Sequence, residues 1–251
     1  PSITERWCHA PAGRDSGTRA EVLGEALKHW GGTLNLVFCN TKLDCAEVSR
    51  QLGLLGFSAV ALHGDMEQFE RSQTLIRFAN GSANVLVATD VAARGLDIDD
   101  VDAVFNFELP HQAEIYVHRI GRTARGGRKG VAISLVSDRE MSRLRHLETE
   151  RESGAMKLWR ADSMDAPASN VTESMPEPSV YTLEINGGRK QKLRPGDILG
   201  TLTASKELSA DAVGKIDILP MVSYVAIAKE HSSTAQRLIN RHKIKGRQYR
   251  A

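Results

Sequence analysis

Three cysteines in 251 residues, Cys8, Cys39 and Cys45, are too few for a disulfide framework and show no metal-ligand spacing. They read as reduced thiols of a cytosolic protein, and no metal ligands are expected. No apolar run approaches the roughly 18 residues that a membrane span needs. The opening Pro1-Ser2-Ile3-Thr4-Glu5-Arg6 has neither the basic nor the apolar region of a signal peptide. It also lacks an initiator Met, which suggests a start inside a longer protein. Missing too is any Gly-x-x-x-x-Gly-Lys-Ser/Thr loop. Val213-Gly214-Lys215-Ile216 has the Gly-Lys but no hydroxyl after it.

What is present is unevenly charged. The formal net charge is +2, but residues 1–150 carry −3, residues 151–179 carry −2 and residues 180–251 carry +7. A basic tail behind a slightly acidic body points to a polyanionic partner, most often nucleic acid. Charge alone also fits a basic surface that serves only solubility.

The first 150 residues alternate between helical and strand-like patterns. Val22, Leu23, Ala26, Leu27 and Trp30 fall at helical spacing, ended by Gly31-Gly32. Strands are expected at 34–39, 58–62, 85–88, 103–107 and 131–136. Helices are expected from about 41 to 55, and at 67–78, 113–120 and 139–150. Apolar strands alternating with helices indicate an α/β fold, a parallel sheet covered on both faces. Ligands of such sheets gather beyond the carboxyl ends of the strands. Residues 153–179, with Pro176-Glu177-Pro178, read as linker. Residues 180–251 read as βαββαβ, a small α+β sandwich whose last strand spans Lys245 to Arg250.

Two stretches carry chemistry. Ala88-Thr89-Asp90-Val91-Ala92-Ala93-Arg94-Gly95-Leu96-Asp97 follows a buried strand. Thr89 and its neighbouring amides suit a phosphate oxygen, Gly95 permits close backbone approach, and Asp97 suits ribose hydroxyls. Taken singly, each residue also fits a plain strand-to-helix turn. Tyr116-Val117-His118-Arg119-Ile120-Gly121-Arg122-Thr123-Ala124-Arg125-Gly126-Gly127 places three arginines within seven residues. Positive charge at a helix C-terminus complements the macrodipole. Guanidinium in particular offers a planar fork for phosphate oxygens. Arg122 and Arg125 are three apart and are expected to point the same way on one helical turn.

These stretches resemble motifs V and VI of superfamily 2 helicases in their DEAD-box form. Leu36-Val37-Phe38-Cys39-Asn40-Thr41-Lys42 resembles motif IV. His63-Gly64-Asp65 and Gln68-Phe69-Glu70-Arg71 resemble the segments that follow it. The resemblance covers about residues 1–150 and implies a RecA-like lobe spanning 1–152. It implies that Thr41, Gly64, Arg71 and Thr89 touch an RNA backbone, and that Gly95 and Asp97 meet ATP. It makes Arg122 and Arg125 arginine fingers, with His118 and Arg119 coupling this lobe to a second one. The family's Asp-Glu-Ala-Asp segment is absent, so ATP and Mg²⁺ are expected to be held mainly by an N-terminal RecA-like lobe. This chain alone is then expected to hydrolyse no ATP.

Residues 180–251 resemble the RRM-like RNA-binding domain of the bacterial DbpA subgroup. The matching text is Asn186-Gly187-Gly188-Arg189-Lys190-Gln191-Lys192-Leu193-Arg194-Pro195-Gly196-Asp197-Ile198-Leu199-Gly200, with Val213-Gly214-Lys215-Ile216 and Lys243-Ile244-Lys245-Gly246. The resemblance implies cytoplasmic action on a hairpin of 23S ribosomal RNA during large-subunit assembly. An ordinary RRM stacks bases on aromatics of its middle strands. The candidate strands here offer only Tyr181 and Tyr224, so charge is expected to dominate. Arg189, Lys190, Lys192 and Arg194 form the expected grip, brought close to RNA by Gly187-Gly188. Lys243, Lys245, Arg247 and Arg250 form a second patch. Two other readings stay open: a DNA translocase of the same superfamily, and a stand-alone RNA-binding scaffold without motor activity.

Overall fold

The computed structural model describes residues 2–12, 17–96, 98, 100–151, 155–160 and 177–251. It divides into two units, residues 1–74 with 83–177, and residues 75–82 with 178–251.

Seven strands form one sheet: β1 (Ser2–His9), β2 (Asn35–Cys39), β3 (Ala59–Leu62), β4 (Val85–Thr89), β5 (Ala103–Asn106), β6 (Lys129–Val136) and β7 (Lys157–Leu158). Their order is β3-β4-β2-β5-β6-β1-β7, and every pairing is parallel. The helices between them are α1 (Gly17–Trp30), α2 (Lys42–Leu54), α3 (Gln68–Ala79), α4 (Asp90–Ala93), α5 (Ala113–Ile120) and α6 (Met141–Glu150). Both faces are covered, as β6 shows by alternation. Ile133 and Leu135 join a core with Leu23, Leu27 and Trp30 of α1 and with Val48 and Leu52 of α2. Ala132 and Val136 join a second core with Tyr116 and Ile120 of α5 and with Leu144 and Leu147 of α6. Strands β2 and β4 are buried at every position, as central parallel strands must be.

Two elements went unread in the sequence. The first is β1, which runs beside β6 from Ser2↔Lys129 to His9↔Val136. Its sequence, Ser-Ile-Thr-Glu-Arg-Trp-Cys-His, is too polar to announce a strand lying between two others. The second is β7, and it corrects the start of the expected linker. Lys157 and Leu158 pair with Arg6 and Trp7, and Met156 and Trp159 are buried in the two cores. Trp159 packs edge-on against Trp30, with 6.3 Å between ring centroids, and that buried indole area holds the segment to the sheet. Residues 153–154 and 161–176 of the expected linker lie outside the described residues.

The second unit holds β8 (Val180–Ile185), α7 (Pro195–Thr203), β9 (Val213–Ile218), β10 (Ser223–Ala228), α8 (Ser232–Arg241), β11 (Lys243–Ile244) and β12 (Arg247–Gln248). Three antiparallel strands lie in the order β8-β10-β9. Ile185, Val225 and Ile227 pack with Ile198 and Leu202 of α7 and with Ala235, Leu238 and Ile239 of α8. The expected final strand from Lys245 to Arg250 does not form. Lys245 (φ 50°) and Gly246 (φ 77°) are both left-handed, the geometry of a two-residue type I′ turn, so β11 and β12 fold into a separate hairpin.

Charged groups brace the first unit. Arg19 of α1 is buried and donates to the carbonyls of Phe107, Pro11 and Leu135 and to the Glu140 carboxylate at 3.0 Å. Burial works to raise the Glu140 carboxyl. The Arg19 guanidinium and the N–H and hydroxyl of Ser137 outweigh it, and the net direction is downward.

Two outcomes follow from this packing. Trp159→Ala, neutral in a linker, should destabilise the first unit by about 3–5 kcal/mol in a denaturant titration. Because the Glu140 carboxyl is lowered on folding, its stabilisation is complete above the unfolded value of about 4.3. It is lost as pH falls through the lowered folded value. The stability advantage of the wild type over Glu140→Gln should therefore vanish in an acid titration and persist at neutral pH.

Candidate nucleotide and nucleic-acid site

Strands β3, β4 and β2 are neighbours; Gly64 and Thr41 lie just beyond the carboxyl ends of β3 and β2, and Thr89 is the last residue of β4. The topology thus brings three of the expected RNA contacts to one edge. Thr41 caps α2, its Oγ1 accepting from Asp44 N at 3.2 Å and donating to the Asp44 carboxylate. Thr89 caps α4, accepting from Ala92 N at 3.4 Å, and is largely buried. Both hydroxyls are engaged in holding the backbone. Gly64 is exposed with open space around its Cα. Arg71 reaches back to the His63 carbonyl at 3.4 Å, so it shares the loop with Gly64.

A second group lies where α4 meets α5. Asp90, Ala93 and Arg94 face Ile115, His118, Arg119 and Arg122 across a shallow cleft of ≈ 40 Å³ floored by Phe38. Arg122 donates to the carbonyl of Leu96, the residue before Asp97, at 3.3 Å. Gly95 is exposed and left-handed (φ 71°), a conformation that favours glycine. Asp97 itself lies outside the described residues.

At the centre of this wall is Arg119, 1% exposed. Its Nε and Nη2 grip the two carboxylate oxygens of Asp90, each at 2.7 Å. Its Nη1 donates to Asn106 Oδ1 at 3.1 Å and to the Glu108 carbonyl at 2.8 Å, and Nη2 donates to Asn40 Oδ1 at 2.8 Å. A guanidinium has five N–H groups, and five acceptors take them. The ring of Phe38 lies 5.1 Å below. Asn40 extends the network, its N–H bonding Glu108 Oε2 at 2.9 Å and its amide bonding the Leu109 carbonyl. Any coupling of Arg119 to a second lobe therefore runs through this network and not through a free donor. Arg119 has no donor to spare and serves as an internal clamp, which leaves His118, exposed on the same helix, as the outward-facing member of the pair.

The expected pairing of Arg122 and Arg125 on one helical turn is also corrected. Helix α5 ends at Ile120, and Ala124, Gly126 and Gly127 are left-handed. Arg125 bends back to the Gly121 carbonyl at 3.0 Å and is exposed. Only Arg122 borders the cleft. Asn40, Asp90 and Asn106 went unread in the sequence, although Asn106 is a polar residue inside an apolar strand.

In the second unit, Arg189, Lys190, Lys192 and Arg194 are exposed, as are Lys243, Arg247 and Arg250. Two expectations change. Gly187 and Gly188 are buried. A Cβ on Gly187 would sit 2.3 Å from the Tyr249 ring, and one on Gly188 would sit 2.1 Å from the Leu219 carbonyl. Internal packing therefore requires these glycines. Lys245 is no outward-reaching grip, since its Nζ binds the Asp197 carboxylate at 2.8 Å and the Lys192 carbonyl at 2.9 Å. Tyr224 is buried between Glu184 and Asp217 in register, whereas Tyr181 is 47% exposed beside Lys229. Carboxylates flanking Tyr224 make that sheet face a poor platform for nucleic acid. The three thiols are buried, and burial pushes Cys8 and Cys45 up to about 12 and Cys39 up as well, which keeps them as thiols. No helix of the described residues is long and apolar enough to cross a membrane.

Fold and site together define the C-terminal RecA-like lobe of a helicase followed by a small RNA-binding domain. The model of the helicase conserved C-terminal domain matches residues 18–127, and that of the DbpA RNA binding domain matches residues 182–251. The chain is 47% identical over 213 residues to the ATP-dependent RNA helicase DbpA of Escherichia coli (strain K12), covering 84% of this chain and 45% of that protein. It is 35% identical over 228 residues to DbpA of Bacillus subtilis (strain 168), covering 85% and 48%. It thus spans about half the length of these curated relatives. Among solved structures, the E. coli DEAD-box protein SrmB bound to regulator of ribonuclease activity A is 36% identical with a TM-score of 0.58, covering 65% of this chain and 97% of that one. The C-terminal domain of the DEAD-box protein Dbp5 is 32% identical with a TM-score of 0.58, covering 65% and 93%. The chain belongs to the DEAD-box RNA helicase family, within its bacterial DbpA subgroup.

Removing the clamp should be costly. Arg119→Ala strands the Asp90 carboxylate, the buried Asn106 amide and the half-buried Asn40 amide, and should lower stability by about 3–5 kcal/mol in a denaturant titration. Arg119→Lys should recover little of this, because an ammonium lacks the planar fork.

Proposed function

We propose that this chain is the C-terminal part of an ATP-dependent RNA helicase that acts on 23S ribosomal RNA in the cytoplasm during large-subunit assembly. The observation that carries the motor reading is the cleft between α4 and α5. Arg122, one of the expected nucleotide contacts, lines it, yet it encloses only ≈ 40 Å³. Small-molecule sites usually enclose about 300–1,000 Å³. A cleft of this size is one wall of a site whose other wall belongs to a second lobe.

In the intact protein, an N-terminal RecA-like lobe supplies the phosphate cradle and the carboxylates that hold Mg²⁺. This lobe supplies Arg122 as the finger on the transferring phosphate, Arg125 as a second cation from the adjoining turn, and Gly95 and Asp97 against the nucleotide. Lobe closure excludes water and brings the finger to the γ-phosphate, where positive charge acts on the developing negative charge. Thr41, Gly64, Arg71 and Thr89 line the strand-end loops that hold an RNA backbone, chiefly through backbone amides, since the threonine hydroxyls are engaged as caps. The second unit anchors the motor on its RNA through Arg189, Lys190, Lys192, Arg194, Lys243 and Arg247. That reading is supported by the match to the DbpA RNA binding domain and the +7 charge of residues 180–251.

The test adds the N-terminal lobe in trans and measures RNA-stimulated ATP hydrolysis. The mixture should turn over and the chain alone should not. Arg122→Ala should reduce turnover by about 10³-fold or more with RNA binding unchanged. Turnover by the purified chain alone, or full turnover with Arg122→Ala, contradicts the motor reading. Binding of the chain to 23S ribosomal RNA should weaken steeply with salt, and a flat response contradicts charge-driven anchoring.

A further inference from the structure

The two basic segments of the second unit are tied together at three points. Asn186 N–H donates to the Arg250 carbonyl at 3.0 Å, and Arg250 N–H returns a bond to Asn186 Oδ1 at 2.7 Å. The Tyr249 ring covers Gly187. At the far end, Lys245 bridges the Lys192 carbonyl and the Asp197 carboxylate. That carboxylate also accepts the Arg194 N–H at 2.9 Å and so caps the first turn of α7. One acidic side chain thus joins the basic loop, the helix behind it and the tip of the basic hairpin. Lys192 (φ 61°) and Lys245 (φ 50°) are both left-handed non-glycine residues. A Cβ disfavours such a backbone. At Lys245 it belongs to the type I′ turn of the hairpin, and the bridge joins these same two residues.

We propose that Asp197 and Lys245 form a latch that merges the 189–194 loop and the 243–248 hairpin into a single RNA-binding surface, so that Asp197, an acid, is a positioning residue for RNA. Without the latch, two segments rich in like charge repel and the hairpin tip swings away. With it, their cations are presented at fixed spacing, and the ordering cost on binding is already met by the fold. Lys245 then acts through position and not as a phosphate contact. The inference rests on the RNA-binding reading of this unit.

Its test sets two electrostatic expectations against each other. Asp197→Asn removes a negative charge beside the basic loop. Were Asp197 a bystander, binding to RNA would tighten. As a latch, its loss should weaken binding of the full chain to a radiolabelled 23S ribosomal RNA transcript by about three- to fivefold, the scale of a partly exposed ion pair. The log–log salt slope should not change, because no phosphate contact is lost. Lys245→Met should weaken binding to a similar degree with the same slope, and the double variant should be no weaker than Lys245→Met. Lys245→Arg, which keeps both contacts, should bind as the wild type does. Amide exchange across 243–248 should quicken in Asp197→Asn even without RNA.

Equal or tighter binding by Asp197→Asn with unaltered exchange overturns the latch. So does a fall of about 0.7–0.9 in the slope for Lys245→Met, which would make Lys245 a phosphate contact. If Asp197→Asn unfolds the unit, Lys245→Met, which leaves the Arg194 N–H cap intact, decides alone. A wild-type chain that fails to bind the transcript removes the RNA reading itself, and the exchange measurement still judges the latch.

Discussion

A buried guanidinium governs the architecture of the first unit's functional wall. Arg119 is removed from water, and such a charge is tolerable only when every donor is met and a counter-charge lies close. Asp90 provides the counter-charge, and Asn40, Asn106 and the Glu108 carbonyl take the remaining donors. Those partners come from the loop after β2, the start of α4, the end of β5 and the loop beyond it. One side chain therefore fixes the mutual positions of four segments. Arg122 follows three residues later, just past the end of the same helix, so its position is inherited from that arrangement. In the proposed motor, a flexible cation would lose much of its effect on a transferring phosphate through misplacement, and the clamp limits that freedom.

The second unit solves the opposite problem. Its cations are exposed, and like charges crowd a loop and a hairpin. Buried glycines let Tyr249 and the Leu219–Pro220 backbone approach closely, and one carboxylate offsets the local repulsion. In both units the binding groups are held by groups of opposite character, an acid and amides around Arg119, an acid beside Lys245.

Much of the fold was legible because it rests on periodicity. Buried strands such as Leu-Val-Phe-Cys and Val-Leu-Val-Ala announce themselves, and so do helices with apolar stripes such as that of α1. The motif residues Thr41, Gly64 and Thr89 come together at the ends of neighbouring strands. What escaped notice depends on tertiary context. β1 is polar in five of its eight residues because its neighbours on both sides, and not its own composition, make it a strand. Trp159 sits in a polar segment whose burial no local pattern reveals. The burial of Arg119 escaped notice because exposed and buried arginines look alike in sequence. Only Asn106, an amide in an apolar strand, hinted that something charged needed a partner inside. The hairpin at Lys245-Gly246 was missed because lysine is an unusual occupant of a left-handed turn.

The pairing of β1 with β6 has a consequence for how the lobe is made. Ser2 lies in register with Lys129, and β1 also receives β7 on its other side. During ribosomal synthesis the first strand emerges long before either neighbour exists. Contacts of such wide sequence separation slow folding and leave strand edges open in the interim. The polar character of β1 suits that wait, since Thr4, Glu5, Arg6 and His9 keep an unpaired edge soluble until its partners arrive.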